Sequence, residues 1–187
     1  MADPFNPESF RDYLVKSNAT GFNFEYFPSI DSTNLEARRY LRSTTAPHEK
    51  LLVADLQTGG RGRQGRSWQA PPATGLLCTL LLKPELPLEK LFLYTAAIGL
   101  AVQAETLTFT GVKLDLKWPN DLLREGRKVG GILAEIDLQD NRTWLALGFG
   151  LNISLSDVDF QEAGISDKAT NLTPPGLFRV SREEFLA

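Results

Sequence analysis

The chain has 187 residues, a formal net charge of −3 and 42% apolar residues, values that fit one soluble globular domain over residues 1–187. Its single histidine, His48, and single cysteine, Cys78, argue against a structural zinc site, an internal disulfide and a Ser-His-Asp centre. The acidic balance gives no bulk attraction to DNA or anionic lipid, so any anion site must be local. The lone cysteine and the polar start without a secretion signal predict a cytoplasmic protein with no membrane span.

The first half of the chain alternates helix and strand. Its patterns predict a helix over 1–20, a strand over 22–30 and a helix from residue 31, where Thr33 and Glu36 match a capping box. Strands are predicted at 51–58 and 75–82. The second of these is apolar on both faces, which places it inside a sheet.

The second half is dominated by strands. A largely buried helix is predicted over 88–108. Strands are predicted over 112–118, 128–138 and 143–154, with a turn at 139–142, and residues 159–172 are expected as loop and short helical turns.

The predicted elements define the fold class. Two or three helices among five or six strands, with hairpins, predict an α+β protein with a mixed β-sheet and helices packed on one side. A second capping box at 181–184 begins a helix too short to be stable alone. We therefore expect the natural protein to continue beyond this chain.

The segment 57–68, QTGGRGRQGRSW, carries three arginines, four glycines and a tryptophan between two predicted strands. Its glycines at 59, 60, 62 and 65 allow positive φ and close approach of the backbone to a ligand. Its guanidinium groups suit carboxylate and phosphate oxygens, and Trp68 can stack on a flat ring. Two interpretations fit these residues alone: a loop that folds over a nucleotide, and a flexible, solvated connection between strands.

Three further segments carry unusual polar or glycine residues. KWPND at 117–121 follows a strand; Pro119 to Asp121 explain a turn, but they do not explain Lys117 and Trp118. Asp121 offers the carboxylate oxygens that Mg²⁺ prefers. KVGGIL at 128–133 and GFGLN at 148–152 place glycines inside strands, where they allow something to approach the backbone.

In combination and order, these segments resemble the biotin protein ligases, the biotin–[acetyl-CoA-carboxylase] ligases. That family carries a DSTN-like segment, GRGRxGRxW, KWPND, KxxGIL and GxGxN, and this chain has the corresponding residues at 31–34, 60–68, 117–121, 128–133 and 148–152. The resemblance covers roughly residues 25–155. It implies a catalytic domain akin to class II aminoacyl-tRNA synthetases, in agreement with the mixed sheet predicted from the residues.

The resemblance also implies a reaction in two steps. The biotin carboxylate attacks the α-phosphate of ATP, with Mg²⁺ present, and forms biotinyl-5′-AMP and pyrophosphate. A lysine amine of a biotin carboxyl carrier protein then attacks the mixed anhydride. The residues that match the family motifs take their roles from this resemblance.

Residues expected to bind biotin are Ser32, Thr33, Asn34, Gln57, Gly60, Arg61, Gly62, Arg63, Lys128 and Gly131. Residues expected to bind ATP or the adenylate are Arg61, Arg63, Arg66, Trp68, Asn120, Lys128 and Asn152. Lys128, Arg63 and Asp121 are expected to be catalytic. Asp121 is in addition the expected magnesium ligand and a candidate acceptor of the incoming lysine's proton.

The chain departs from many family members at both ends. Only about two dozen residues precede the first predicted strand, so we expect no helix-turn-helix domain, no DNA partner and no repressor role. Family members usually have a small SH3-like domain after the catalytic domain, and we expect these 187 residues not to include it. A homodimer formed through a sheet edge is compatible with the resemblance.

Three other functions remain open at this stage. A lipoate or octanoate ligase or transferase would use the same scaffold with an apolar tunnel, whereas DSTN and Gln57 indicate a polar pocket. A non-catalytic RNA-binding module with an Arg-Gly loop conflicts with the acidic balance and with the absence of further RG repeats. A homologue that binds biotin without catalysis conflicts with the intact motifs.

Overall fold

The computed structural model describes residues 3–19, 21, 23–43, 48–139, 142–174 and 181–187. This part contains seven strands: β1 (Phe24–Phe27), β2 (Lys50–Ala54), β3 (Gly75–Leu82), β4 (Asp115–Lys117), β5 (Asp121–Arg124), β6 (Arg127–Gln139) and β7 (Arg142–Asn152). They form one sheet in the order β1-β2-β3-β7-β6-β5-β4. The β1–β2 pair is parallel and the other pairs are antiparallel, so the predicted mixed sheet is confirmed.

Helices cover both faces of this sheet. They are α1 (Pro7–Lys16), α2 (Thr33–Ser43), α3 (Phe92–Thr110), α4 (Asp157–Glu162) and α5 (Arg182–Leu186). Apolar residues of α1 and α3 share one core with alternate residues of β2, β3 and β7. The remaining alternate residues of these strands pack on α2. The fold class is as predicted, and α2 is the helix that departs from the expected single layer.

Most strand predictions are confirmed, with shifted ends. The interior position of β3 follows from its lack of a polar face. The predicted strand 22–30 is shorter in the structure, and the one at 112–118 is reduced to β4. Sequence analysis missed β5 because KWPND contains both the turn and the first residue of this short strand. The predicted turn at 139–142 includes residues 140 and 141, which lie outside the described residues.

The predicted capping box at Thr33 and Glu36 is wrong. α2 starts at Thr33, whose hydroxyl donates to Gln57 Oε1 at 3.1 Å, and Glu36 accepts from Arg39 Nε at 2.8 Å. A tertiary partner thus takes the hydroxyl that a local pattern assigned to the cap. The box at 181–184 is confirmed in its first half, since Ser181 Oγ accepts from Glu184 N at 3.0 Å.

The long helix α3 is much less buried than predicted. Its buried residues form a narrow stripe of Thr95, Gly99, Val102 and Thr106, whereas several large apolar residues stay exposed. In the described part of the chain, 88–110 is the one helical segment whose length and hydropathy would permit a membrane span. The sequence prediction overlooked it because polar residues interrupt its apolar run. Its inner face packs on the sheet, as in the core helix of a globular domain.

A buried ion pair joins both ends of the chain to the sheet. Arg182 Nη2 of α5 lies 2.8 Å from Asp55 Oδ1, just after β2, and both side chains are less than a tenth exposed. Asp55 also accepts from the backbone N–H of Phe5 and, at 2.6 Å, from the Tyr26 hydroxyl. α5 has five residues and cannot stand alone, so these contacts hold it in place.

This network predicts a change of stability at alkaline pH. Burial and the hydrogen bond to Asp55 raise the pKa of Tyr26 from 10.0 to about 12. Since the unfolded tyrosine ionises first, the stability contributed by neutral Tyr26 is complete below pH 10.0 and is lost as the pH rises to about 12. Urea unfolding at about pH 9 and about pH 11 should show a smaller loss for Tyr26→Phe than for the wild type. Equal losses in the two proteins would contradict this role of Tyr26.

Candidate active site

A cavity of about 480 Å³ opens on the α2 face of the sheet. It brings together nearly all the residues predicted from the motifs. Those that line it are Ser32, Thr33, Asn34, Gln57, Arg61, Gly62, Arg63, Arg66, Trp68, Asn120, Asp121, Lys128 and Gly131. Gly60 and Asn152 do not line it. The five motif segments, which are spread over residues 31–152, therefore converge on one site.

The floor of the cavity consists of glycines on the central strands. An added Cβ at Gly148 would lie 2.1 Å from Asn34 Oδ1, and one at Gly150 would lie 2.6 Å from Cε2 of Trp68. On the neighbouring strand, a Cβ at Gly131 would lie 3.2 Å from Lys128 Nζ. Close packing of site side chains therefore explains Gly148 and Gly150, whereas a methyl group at Gly131 would need the end of the Lys128 side chain to shift by a few tenths of an ångström. We call Gly131, Gly148 and Gly150 the glycine floor.

A network of neutral hydrogen bonds forms one end of the cavity. Gln57 Oε1 accepts from the backbone N–H of Thr33 at 2.7 Å and from its hydroxyl at 3.1 Å. Thr79 Oγ1 lies 2.7 Å from Thr33 Oγ1 and 2.6 Å from Asn34 Oδ1. Ser32, Thr33 and Asn34 are buried although they are polar. Their fixed hydroxyl and amide groups can recognise a compact polar head group that both donates and accepts hydrogen bonds.

The segment 57–68, which we call the arginine loop, forms the exposed wall of the cavity. Arg63 Nη1 donates to Asn120 Oδ1 at 3.1 Å, and Arg61 Nη2 lies 3.6 Å from Glu135 Oε1. Arg66 donates to Gln64 within the loop. All three arginines are exposed, so their guanidinium groups can reach a bound anion without breaking buried contacts.

The loop glycines act differently from one another. Gly65 is the loop glycine that has a positive φ, at 73°. The neighbouring residue Gln64, which is not a glycine, also has a positive φ, at 59°. Gly60 is needed for another reason: its added Cβ would lie 2.3 Å from the carbonyl oxygen of Trp68. Of the two properties predicted for the loop glycines, positive φ is found at Gly65, whereas Gly60 is explained by the close approach of the two ends of the loop.

A lysine–carboxylate pair lies close to the arginine loop. Lys128 Nζ lies 2.6 Å from Asp121 Oδ1 and 5.6 Å from the ring centroid of Trp68. An irregularity in the β5–β6 register, with Leu122 opposite Gly130 and Leu123 opposite Lys128, leaves Val129 as an extra residue. This bulge allows the Lys128 side chain to approach Gly131 on the cavity side while Val129 stays in the core.

The two asparagines predicted to contact ATP have different surroundings. Asn120 is fixed by Nδ2, which donates to the Ile132 carbonyl at 3.2 Å, and it holds Arg63 through Oδ1. Asn152 is buried and donates from Nδ2 to the Thr170 carbonyl at 3.2 Å, away from the cavity lining. Contact between Asn152 and adenosine therefore stays a prediction.

The side chains available as metal ligands in the cavity determine how it could hold a divalent cation. Among the residues described by the structure, no group of three His, Cys, Asp or Glu side chains is close enough to hold a metal ion. Asp121 is the carboxylate that lines the cavity, and it is paired with Lys128. Mg²⁺ is often bound by one or two carboxylates together with nucleotide phosphates, so Asp121 fits that mode and not a protein-only cage.

Sequence reasoning missed two polar residues of the site. Thr79 interrupts the apolar run of β3 and is completely buried, and its hydroxyl lies within hydrogen-bonding distance of both Thr33 Oγ1 and Asn34 Oδ1. Glu135 accepts from Asn34 Nδ2 at 2.8 Å and faces Arg61. The polar break in an otherwise apolar strand was a signal for Thr79. Alternation along β6, which places Gly131, Leu133 and Glu135 on one face, was a signal for Glu135.

Comparison with known proteins identifies the family. The sequence profile of the biotin/lipoate A/B protein ligase family matches residues 26–152. The chain belongs to this family. The "Bifunctional ligase/repressor BirA" of Bacillus spizizenii is 34% identical over 169 residues, which are 90% of this chain and 51% of that protein. The "Biotin--[acetyl-CoA-carboxylase] ligase" of Mycobacterium tuberculosis is 30% identical, covering 82% of this chain and 58% of that protein.

Solved structures show the same fold. The biotin protein ligase from Aquifex aeolicus in complex with biotin and ATP matches with a TM-score of 0.70 at 32% identity. The match covers 88% of this chain and 65% of that one. The ligase from Leishmania major in complex with biotinyl-5-AMP matches with a TM-score of 0.62 at 27% identity. The chain spans about half the length of the first curated relatives that it matches.

The glycine floor predicts a specific steric effect. Gly150→Ala should destabilise the protein by about 1–3 kcal/mol, because the new methyl group meets the Trp68 ring. Gly62→Ala is the matched control, since its Cβ would meet nothing closer than 3.6 Å and its φ is −117°. Urea unfolding measures both free energies.

A double-mutant cycle assigns the cause. If the penalty arises from Trp68, Gly150→Ala should cost much less in a Trp68→Ala background. An unchanged penalty in that background would show that the floor is not packed against Trp68.

Proposed function

We propose that this protein is a biotin ligase, which activates biotin with ATP to biotinyl-5′-AMP and transfers the biotinyl group to a lysine of a biotin carboxyl carrier protein. The main observation behind this proposal is that one cavity has a neutral polar end, with Thr33 and Gln57, and a cationic end, with Arg63 and Lys128. Family membership and the likeness to ligases that bind biotin and ATP support the same proposal.

The polar end suits the ureido head of biotin. That group presents two N–H donors and one carbonyl acceptor, which the buried hydroxyls of Ser32 and Thr33 and the partly buried amide of Gln57 can satisfy. A lipoyl ring has neither the N–H donors nor the carbonyl acceptor of the ureido group, so it could not make these hydrogen bonds. The structure therefore favours biotin over lipoate as the substrate.

The cationic end addresses the difficulty of the first step, in which one anion must attack another. The biotin carboxylate oxygen forms a bond to the α-phosphorus while the bond to the bridging oxygen breaks and pyrophosphate leaves. Lys128 sits beside Asp121 and Trp68, where its ammonium group can contact both the carboxylate and the α-phosphate. Arg61, Arg63 and Arg66 supply further positive charge on the loop.

The ion pair between Lys128 and Asp121 is weak enough for Lys128 to leave Asp121 and bind the substrate anions. Both side chains are partly exposed, at 33% and 26%. A partly exposed pair is worth only about 0–1 kcal/mol, so Lys128 can exchange Asp121 for the anions of the substrates at small cost. Mg²⁺, when bound through the phosphates and Asp121, would neutralise further phosphate charge.

In the second step, the nitrogen of the acceptor lysine attacks the carbonyl carbon of biotinyl-5′-AMP and AMP leaves. The amine must be neutral to attack and must lose a proton afterwards. Asp121, freed from Lys128, is the carboxylate in the cavity that can accept it.

The single cysteine, Cys78, is buried and free, which supports the proposed cytoplasmic location.

The direct test of this function is a reaction with biotin, ATP and magnesium, followed by mass spectrometry. We expect biotinyl-5′-AMP to form without any acceptor protein, because the cavity contains both the polar end that suits biotin and the cationic end that suits the phosphates of ATP. Lipoate in place of biotin should give much less adenylate, since it lacks the ureido group. An adenylate formed from lipoate but not from biotin would contradict the proposal.

The role of Lys128 is tested by the first step alone. Lys128→Ala should slow biotin-dependent ATP–pyrophosphate exchange at least about tenfold, roughly 1.4 kcal/mol of barrier, because the charge between the two anions is lost. Lys113→Ala is the matched control, as this lysine is exposed and lies outside the cavity. A wild-type exchange rate in Lys128→Ala would remove Lys128 from the mechanism.

A further inference from the structure

Two large aromatic residues form an exposed surface at the mouth of the cavity. Trp118, which directly follows β4, is 59% exposed, and Phe92, the first residue of α3, is 49% exposed. Their rings meet edge to face, with centroids 5.6 Å apart and an interplanar angle of 84°. We call Trp118 and Phe92 the aromatic ledge.

Folding does not account for this ledge. Neither residue belongs to the buried core clusters. The KWPND turn is explained by Pro119, by Asn120 bound to the Ile132 carbonyl, and by Asp121 paired with Lys128, and none of these needs an aromatic residue at 118. Contact between two exposed aromatic rings beside a functional cavity is the kind of apolar surface that binds another molecule.

The ledge is separate from the polar end of the cavity and begins beside the cationic end. The polar end comes from α2 and the residues after β2, whereas Trp118 follows the edge strand β4. Trp118 lines the cavity together with Lys117 and Pro119, but Phe92 does not line it. The ledge thus begins at the cavity rim and continues outward over the start of α3.

The second substrate of the proposed reaction must pass this rim. Its lysine reaches the adenylate with a flexible four-carbon stem, so the acceptor's backbone has to lie at the mouth of the cavity. There it meets the ledge and the exposed Lys117. An apolar side chain close to the acceptor lysine would cover the two rings, and acidic side chains would be attracted by the cations of the rim.

We propose that the aromatic ledge is the docking surface for the acceptor protein, and that it binds an apolar side chain next to the lysine to be modified. This proposal rests on the proposed function, because it needs an acceptor lysine to enter the cavity. It assigns Trp118 and Phe92 to recognition of the protein substrate and not to formation of the adenylate.

Phe92→Ala tests the ledge without altering the cavity lining. With a purified biotin carboxyl carrier protein as acceptor, the variant should raise the KM for the acceptor by about tenfold, the scale of a truncated interface anchor. Biotin-dependent ATP–pyrophosphate exchange should remain at the wild-type rate. Transfer of biotin from the adenylate to hydroxylamine, a small nucleophile that cannot reach the ledge and the adenylate together, should also be unchanged.

Two further variants serve as controls. Phe92→Tyr keeps the ring and should restore the KM for the acceptor to near the wild-type value. Leu107→Ala truncates an apolar residue of similar exposure, 46%, near the other end of α3, and should leave the KM for the acceptor unchanged.

The outcomes distinguish this proposal from failure of the function. If the wild type forms no biotinyl-5′-AMP, the proposed function fails. If it forms the adenylate but Phe92→Ala leaves the KM for the acceptor unchanged, the docking proposal alone is overturned. Equal losses in pyrophosphate exchange and in transfer to hydroxylamine would overturn it too, since the residue would then act on the small-substrate site. A changed oligomeric state in light scattering, with an unchanged KM for the acceptor, would assign the ledge to contact between copies of this chain.

Discussion

The site depends on the lack of side chains at the centre of the sheet. β7 pairs with β3 on one side and β6 on the other, so its residues are held firmly in position. At Gly148 and Gly150 this rigid strand leaves room for Asn34 and Trp68, and Gly131 leaves room for Lys128. The glycine floor thus lets a polar helix start, an aromatic ring and a cation lie directly on the sheet. A single methyl group at any of these positions would require one of those side chains to move.

On this floor, the two ends of the cavity use different interactions. The neutral end is buried and fully interlinked, since Thr79, Thr33 and Gln57 share hydrogen bonds; such an environment recognises shape and hydrogen-bonding pattern. The cationic end is exposed, and its contacts with Asp121, Asn120 and Glu135 are weak enough to be exchanged. This division matches a reaction in which one group is held still while negative charges are brought together next to it.

Much of this could be predicted from the sequence, and the failures have physical reasons. Gln57, Arg63 and Lys128 were identified because they lie in short segments whose order and composition resemble the motifs of the biotin protein ligases. The exposure of α3 was not predicted, because composition does not show which apolar residues a neighbour covers. Thr33 was assigned to a helix cap because a local partner was visible and the tertiary partner Gln57 was not. The bulge at Val129, which brings Lys128 to the cavity side, depends on pairing with β5, a strand that the pattern did not reveal.

The central claim is that Arg63 and Lys128 cancel the repulsion between a carboxylate and a triphosphate above the glycine floor. A crystal structure of the protein with biotin and a non-hydrolysable ATP analogue tests this most directly. The account predicts the ureido ring beside Thr33 and Gln57, and the carboxylate and α-phosphate both within hydrogen-bonding distance of Lys128. Ligands bound in another part of the molecule, or a biotin whose carboxylate points away from Lys128, would contradict it.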